Sequence, residues 1–347
     1  MSDSKNEQQR LMGVFALTQT KMLKATEQQT RFFRPRRFLI LIVLLFFFCL
    51  TVSVFFGSEN LNFTDLTNLE KAILFDVRLP RIFLGASVGA SLALAGASLQ
   101  SLLRNPLADP YLLGVSSGAA LGTMLAFVFF TNLEFTHPIL AFIGASTATF
   151  TVYQMAKSKA GMNVERLALS GVIVTTLLSS IIVLFTSLLD ATKLRSFTFW
   201  LLGDLSQGTK NGFYIVLISA ILGGAILFSQ AKALNLMMIG EKDAFDFGVE
   251  VEKVRLIVFV TSAFLVGVSV SSSGSVGYVG LIIPHLIRLS VGSDNRFVLP
   301  FSAIAGATFI VFADMIARTV IAPRELPVGA ITALIGAPMF IYLLKRS

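Results

Sequence analysis

LIVFVTSAFLVGVSVSSSGSVGYVGLIIPHLI, residues 256–287, carries no charged side chain over its whole length. A helix crosses the hydrocarbon core with roughly 20 apolar residues, so this run is too long for a single crossing. SSSGS at 271–275 has the composition of a turn and divides the run. One span is therefore expected near 254–270 and a shorter one near 278–291. This division decides the count for the chain. The other charge-free runs fall at 38–56, 82–103, 111–133, 135–156, 167–189, 211–231, 297–313 and 326–344. The total is ten, and the expected fold class is an all-α polytopic membrane protein with ten transmembrane helices.

Composition agrees with that class. Of 347 residues, 54% are hydrophobic and only 14% charged, with mean hydropathy +0.77; soluble domains carry about 25% charged residues. Lipid then replaces water as the solvent for the outward faces. The formal charge of +8 sits mostly at the ends of apolar runs, as membrane-flanking charge does, so nucleic acid is not an expected partner. Cys49 is the single cysteine, which rules out a disulfide within the chain. His137 and His285 stand far apart in sequence, and no metal site is expected.

Residues 1–37 form a polar N-terminal segment ending in Arg31, Arg34, Arg36 and Arg37. The run that follows is long enough to span and lacks a small-residue cleavage site, so it reads as a retained first helix rather than a signal peptide. With the N-terminus inside, the inside segments hold the excess of Lys and Arg, as orientation by charge requires. Ten spans then return the C-terminus to the cytoplasm as well. The longest outside segments are 57–81 and 190–210. The longest inside loop, about 231–253, mixes apolar patches with charges of both signs, a composition that suits short amphipathic helices lying against a cytosolic partner.

RNPLADPYLLGVSSGAALG, residues 104–122, reads as a stiff turn leading into a small-residue helix. Pro106 and Pro110 fix φ and disfavour helix before them, and Asn105 and Asp109 suit turns. Gly114, Gly118 and Gly122 stand at i, i+4 and i+8 on one helix face, with Ser117 beside them; Gly85, Gly89 and Gly96 mark the preceding helix. Such faces let helix backbones approach closely in lipid, or they line a wide path. Spacing does not separate the two. Asp314 and Arg318 stand four apart and can pair. No P-loop, nucleophile elbow, zinc helix or dinucleotide fingerprint is present, so an enzyme is not expected. Any driving energy comes from a gradient or from another subunit.

RNPLADPYLLGVSSGAALG, VGYVGLIIPHLIRLSVGSDNR (276–296), ADMIART (313–319) and ELPVGAITALIGAPMFIYLL (325–344) together resemble the FecCD-type permeases. These are the membrane subunits of bacterial type II ABC importers for iron-siderophores, haem and vitamin B12. The resemblance runs from about residue 70 to the C-terminus and implies a permease domain over 38–347, set in the bacterial cytoplasmic (inner) membrane. It further implies a second permease subunit, identical or related, two cytosolic ATPase subunits, and a periplasmic or lipid-anchored substrate-binding protein. ATP and Mg would be bound by the partner ATPase, with no cofactor in this chain. By the same resemblance, Arg78, Arg81 and Arg318 are outward arginines that receive acidic residues of the binding protein. Asn105, Pro106 and Leu107 form the cytoplasmic gate. Gly240 and Glu241 mark the ATPase coupling loop, and helix 5 with SFTFWLLGDLSQG (196–208) lines or gates the outer half of the path. The expected activity is inward movement of an iron-siderophore by alternating access, with haem or vitamin B12 as alternative cargo. A gradient-driven secondary transporter is the alternative from a different class, and an importer of bare zinc or manganese ions is another.

Overall fold

The computed structural model describes residues 34–59, 61–62, 65–130, 136–158, 161–162, 164–206 and 208–346. Most of the N-terminal segment 1–37, including Arg31, lies outside the described residues. Helix α1, Pro35–Phe55, opens on a proline whose missing N–H is no loss at the first helical position. Helix α2, Asn68–Leu102, opens with a capping box. The Thr67 hydroxyl accepts from the Glu70 amide, and the Glu70 carboxylate accepts from the Thr67 amide at 2.8 Å. A wide π turn occupies Ile73–Arg78, just before Pro80, which has no N–H to continue the helical ladder.

The turn after α2 is held by its own side chains. Asn105 Oδ1 accepts the Leu107 amide at 2.9 Å, and Asp109 Oδ1 accepts the Tyr111 amide at 2.9 Å. A short 3-10 turn, Pro110–Leu113, ends at Gly114, whose φ of +73° suits glycine. Helix α3, Val115–Phe129, follows. Then come α4 (Thr136–Ala156), a two-residue antiparallel hairpin of β1 (Lys157–Ser158) and β2 (Gly161–Met162), α5 (Val164–Thr186) and α6 (Ala191–Leu201). The rest of the chain forms α7 (Lys210–Ser229), α8 (Ala231–Ile239), α9 (Glu241–Asp246), α10 (Val251–Ser273), α11 (Val279–Val291), α12 (Asn295–Thr319) and α13 (Val328–Arg346).

Among the described residues, α1, α2, α4, α5, α7, α10 and α12 are long and apolar enough to cross a membrane, by length and composition. Helices α3, α11 and α13 are shorter and apolar. Each of these ten helices falls on one of the charge-free runs. The polytopic, helical class is thus observed, and a count of ten crossings stays a proposal. Two segments expected as connections contain helix. Part of 57–81 belongs to α2, because the capping box starts it at Asn68. Much of 190–210 is α6, capped by Asp190, whose side chain accepts the Lys193 amide at 2.9 Å. The division inside 256–287 falls later than its serines suggest. Ser269 and Ser273 hydroxyls bond back to carbonyls one turn earlier, the helix continues through them, and Gly274 at φ +67° ends it.

Helix α2 is the centre of the molecule, buried over most of its length and packed by α7, α10, α11 and α12. Its small residues allow this. A Cβ on Gly89 would lie 2.2 Å from the Gly306 carbonyl oxygen of α12, and one on Gly96 1.9 Å from that of Gly280 on α11. In lipid such backbone approach supplies the dispersion contacts that hydrophobic burial supplies in water. Around this core α1, α5 and α7 leave large apolar side chains uncovered, among them Phe48, Leu177 and Ile221.

Candidate functional site

Helices α2 and α12 lie antiparallel, and each end of the pair carries a cluster of charged and polar side chains. At one end Arg81 and Asp314 meet. Arg81 Nε donates to Asp314 Oδ1 at 3.0 Å, and its Nη1 donates to Glu325 Oε2 at 2.6 Å. The expected pair of Asp314 and Arg318 is present, with Arg318 Nε 2.9 Å from Asp314 Oδ2 at ion-pair distance without hydrogen-bond alignment. Arg318 Nη2 donates to Ser53 Oγ of α1 at 2.7 Å. Nearby, Arg78 donates to the carbonyls of Val54 at 2.9 Å and Glu59 at 2.6 Å.

These contacts place the three arginines differently from the outward guanidiniums that the sequence led us to expect. Arg78, Arg81 and Arg318 are 4%, 6% and 3% exposed. The physical reason is desolvation: a guanidinium among packed helices must be paired or hydrogen-bonded, and carboxylates and carbonyls of the same chain lie within reach. Glu325, on the connection before α13, is the member most open to solvent.

The other end joins the turn after α2 to the α8–α9 segment. Glu241 Oε1 receives Arg255 Nη2 at 2.7 Å and stands 3.7 Å from Arg104 Nη2. Arg255 also pairs with Glu252 and donates to the Met162 carbonyl at 3.1 Å. Beside this runs a buried chain of amides and hydroxyls. Ser101 Oγ donates to Asn295 Oδ1 at 2.7 Å. The Asn295 amide and Nδ2 donate to Asn235 Oδ1 at 2.8 and 2.9 Å, and Asn235 Nδ2 donates to Asp294 Oδ1 at 2.7 Å. The end of α2, the start of α12 and helix α8 are thereby stitched together. Arg296 donates to both Asp294 oxygens, and these hydrogen bonds hold that carboxyl down at about 2.

Asn105, Pro106 and Leu107 are exposed at this end, on the turn itself. Tyr111 anchors the turn from behind: its hydroxyl donates to the Val276 carbonyl at 2.9 Å and accepts the Val276 amide at 3.0 Å. Gly240 is the residue between α8 and α9. On that segment Leu234, Met237 and Ala244 are buried against the bundle, whereas Ile239, Phe245 and Phe247 are 73%, 71% and 74% exposed.

The two readings of the small-residue face on α3 now separate. Gly118 faces Gly144 of α4, and a Cβ on Gly122 would lie 1.9 Å from the Leu140 carbonyl. Ser117 Oγ donates to the Gly114 carbonyl at 3.1 Å and lies 3.3 Å from the Thr175 hydroxyl of α5. The face packs against α4 and α5. Of 196–208, residue 207 lies outside the described residues; Gly203 turns at φ +83°, and the Asp204 amide donates to the Ser273 carbonyl at 2.8 Å. Sequence reasoning missed Asn235, Arg255, Asn295 and Glu325, and the glycines Gly144, Gly280 and Gly306 that answer the small faces of α2 and α3. Asn235 gave a signal as an amide inside an apolar stretch, and Gly280, Asn295 and Glu325 lie inside the quoted motifs; Arg255, Gly144 and Gly306 needed their partners in space.

The pattern of the FecCD transport family matches residues 41–346. The hemin transport system permease protein HmuU of Yersinia pestis is 37% identical over 324 residues, covering 90% of this chain and 96% of that protein. The cobalamin import system permease protein BtuC of Halobacterium salinarum is 42% identical over 275 residues, covering 79% of this chain and 74% of that one. Among solved structures, an inward-facing metal-chelate type ABC transporter superposes with a TM-score of 0.81 at 34% identity, over 90% of this chain and 100% of that chain.

Proposed function

The chain belongs to the FecCD transport family, and from that premise we propose that it is the permease subunit of an ATP-driven importer that moves an iron-siderophore chelate inward. In this proposal ten helices cross the bacterial cytoplasmic membrane, both termini are cytoplasmic, and the turn at Asn105, Pro106 and Leu107 faces the cytosol as the inner gate. The observation that carries the proposal is the α8–α9 segment. Its outer surface offers Ile239, Phe245 and Phe247 to a partner, and its inner surface is tied through Asn235 and Glu241 to the end of α2 and to the turn. A cytosolic ATPase seated there has a short path to the gate.

The mechanism is alternating access. ATP binding closes two partner ATPases, α8 and α9 move with them, and the paired permeases rearrange around a weakly binding path. ATP and Mg belong to the partners. The binding protein docks at the opposite end, near Arg78, Arg81 and Arg318. Because those guanidiniums are buried, Glu325 is the carboxylate that an acidic group of the partner replaces.

The likeness to the hemin permease, which covers nearly all of both chains, supports haem as a second reading of the cargo. The test is uptake into proteoliposomes holding the permease, its ATPase and its binding protein. ATP-dependent accumulation of labelled ferric siderophore, unaffected by excess haem, is the expected result. Inhibition by haem with direct haem uptake favours the second reading. Uptake driven by a proton gradient without ATP or ATPase overturns the proposal.

A further inference from the structure

We propose that Arg255 is the positioning residue through which movement of α8–α9 reaches the inner turn. The inference rests on the permease reading above and adds a residue and a route to it. Arg255 lies on the second turn of α10 and is 5% exposed, yet its guanidinium meets two other segments of the chain as well as its own helix. It holds Glu241 at the start of α9 at 2.7 Å, and it donates to the Met162 carbonyl of the β1–β2 hairpin at 3.1 Å. It also pairs with Glu252 on its own helix, and Glu252 in turn accepts the Met162 amide at 3.4 Å. The backbone of Met162 is therefore gripped from both sides by one ion pair.

Glu241 extends the route to the gate. The oxygen that Arg255 holds is also 3.7 Å from Arg104, the first residue of the turn. The two halves of this bridge differ in a way that assigns their roles. The Arg255 contact is short and its guanidinium is shielded from water, so it persists. The Arg104 contact is longer, and both of its partners are open to solvent, with side chains 39% and 49% exposed, so it exchanges readily. Arg104 itself sits at φ +48°, a backbone conformation that suits a tight corner rather than a helix. A shift of α9 carries Glu241 with Arg255 and moves it relative to Arg104, while the hairpin between α4 and α5 follows through Met162. Two arginines and two glutamates balance in charge, so the clasp changes partners without stranding a net charge.

The experiment uses the whole complex in proteoliposomes and reads uptake and ATP hydrolysis together. Arg255→Gln should assemble with the ATPase and hydrolyse ATP while the chelate moved per ATP falls about tenfold, as a coupling loss of typical size does. Arg255→Lys keeps a charge for Glu241 but cannot fork to Met162, so it should recover part of that ratio. A structural role alone would lower uptake and hydrolysis in proportion and would show no such graded recovery. A second pair of variants guards against misfolding: Glu241→Gln, at a side chain 49% exposed, and Glu241→Gln with Arg255→Gln. Glu241→Gln alone should lower the same ratio, and the double variant should lower it no further than either single change, as two residues of one clasp do. An unchanged ratio in Arg255→Gln or Glu241→Gln, or effects that simply multiply in the double variant, overturns the inference while ATP-driven uptake by the parent still stands. Absence of ATP-driven uptake in the parent would instead remove the permease reading itself.

Discussion

Two clusters at opposite ends of α2 and α12 have the same ingredients and different surroundings. Arg81, Arg318, Asp314 and Glu325 make up one; Arg104, Arg255, Glu241 and Glu252 make up the other. In the first, three of four side chains are at most 7% exposed. In the second, only Arg255 is buried, and its partners are about half exposed. Burial makes an ion pair costly to break, because the partner left behind stays uncompensated, whereas water takes over from a broken exposed pair. The first cluster is thus a staple that fixes α1, α2 and α12 to the connection before α13. The second is a set of contacts that can be traded at little cost, because water replaces a lost partner.

The strongest test of that contrast is Asp314→Ala, which removes the carboxylate that the buried Arg81 and Arg318 share and leaves Glu325 to Arg81. It should destabilise the protein by about 3–5 kcal/mol, read as a large fall in thermal unfolding temperature in detergent. A loss below about 1 kcal/mol would break the comparison, since that is the range of exposed pairs. Next in size is Asn295→Ala. Asn295 is fully buried and links Ser101 to Asn235, so its removal should cost about 1–3 kcal/mol and loosen α8, visible as faster amide exchange over 231–239. This result would sharpen the comparison by showing that the exchangeable clasp rides on a firm amide base.

Glu241→Gln should cost less than about 1 kcal/mol, and raising salt from 0.1 to 1 M, which shortens the screening length from about 10 Å to about 3 Å, should shrink the difference further. The Asp314 effect should not respond to salt in this way. The remaining test is pH. Asp294 has a folded pKa of about 2, below the usual unfolded value near 4. Its contribution is therefore complete above about pH 4 and is lost as pH falls toward about 2. The stability gap between the parent and Asp294→Asn should narrow over that interval; a gap that widens on acidification would reverse the assignment.

Much of the architecture was legible in the residues. The charge-free runs coincide with the apolar helices because each crossing must satisfy its own backbone and face lipid outside, which leaves a length signature in composition. The stiff turn at 104–110 was legible for a similarly local reason, since Pro106, Pro110, Asn105 and Asp109 act on their own neighbours. The start of α2 was not, because Asn68–Arg81 mixes charges with apolar residues and its capping box is a matter of three residues rather than of hydropathy. The arginine cluster was half legible. Asp314 and Arg318 share a helix face and paired as their spacing allows, but Arg81 and Glu325 join them from elsewhere in the chain, and that closure is what turned expected outward arginines inward.

What the sequence alone determined is therefore what arises within a few residues of itself: the places of the apolar helices, the proline-stiffened turn, the small-residue faces and the family motifs. Which glycine faces which, and which carboxylate holds which guanidinium, was decided only by the tertiary structure. The physical reason is range. Hydropathy and backbone preference act along the chain, whereas Gly118 against Gly144, Arg81 against Asp314 and Glu325, and Glu241 between Arg255 and Arg104 exist only once packed helices have brought distant segments within a few ångströms.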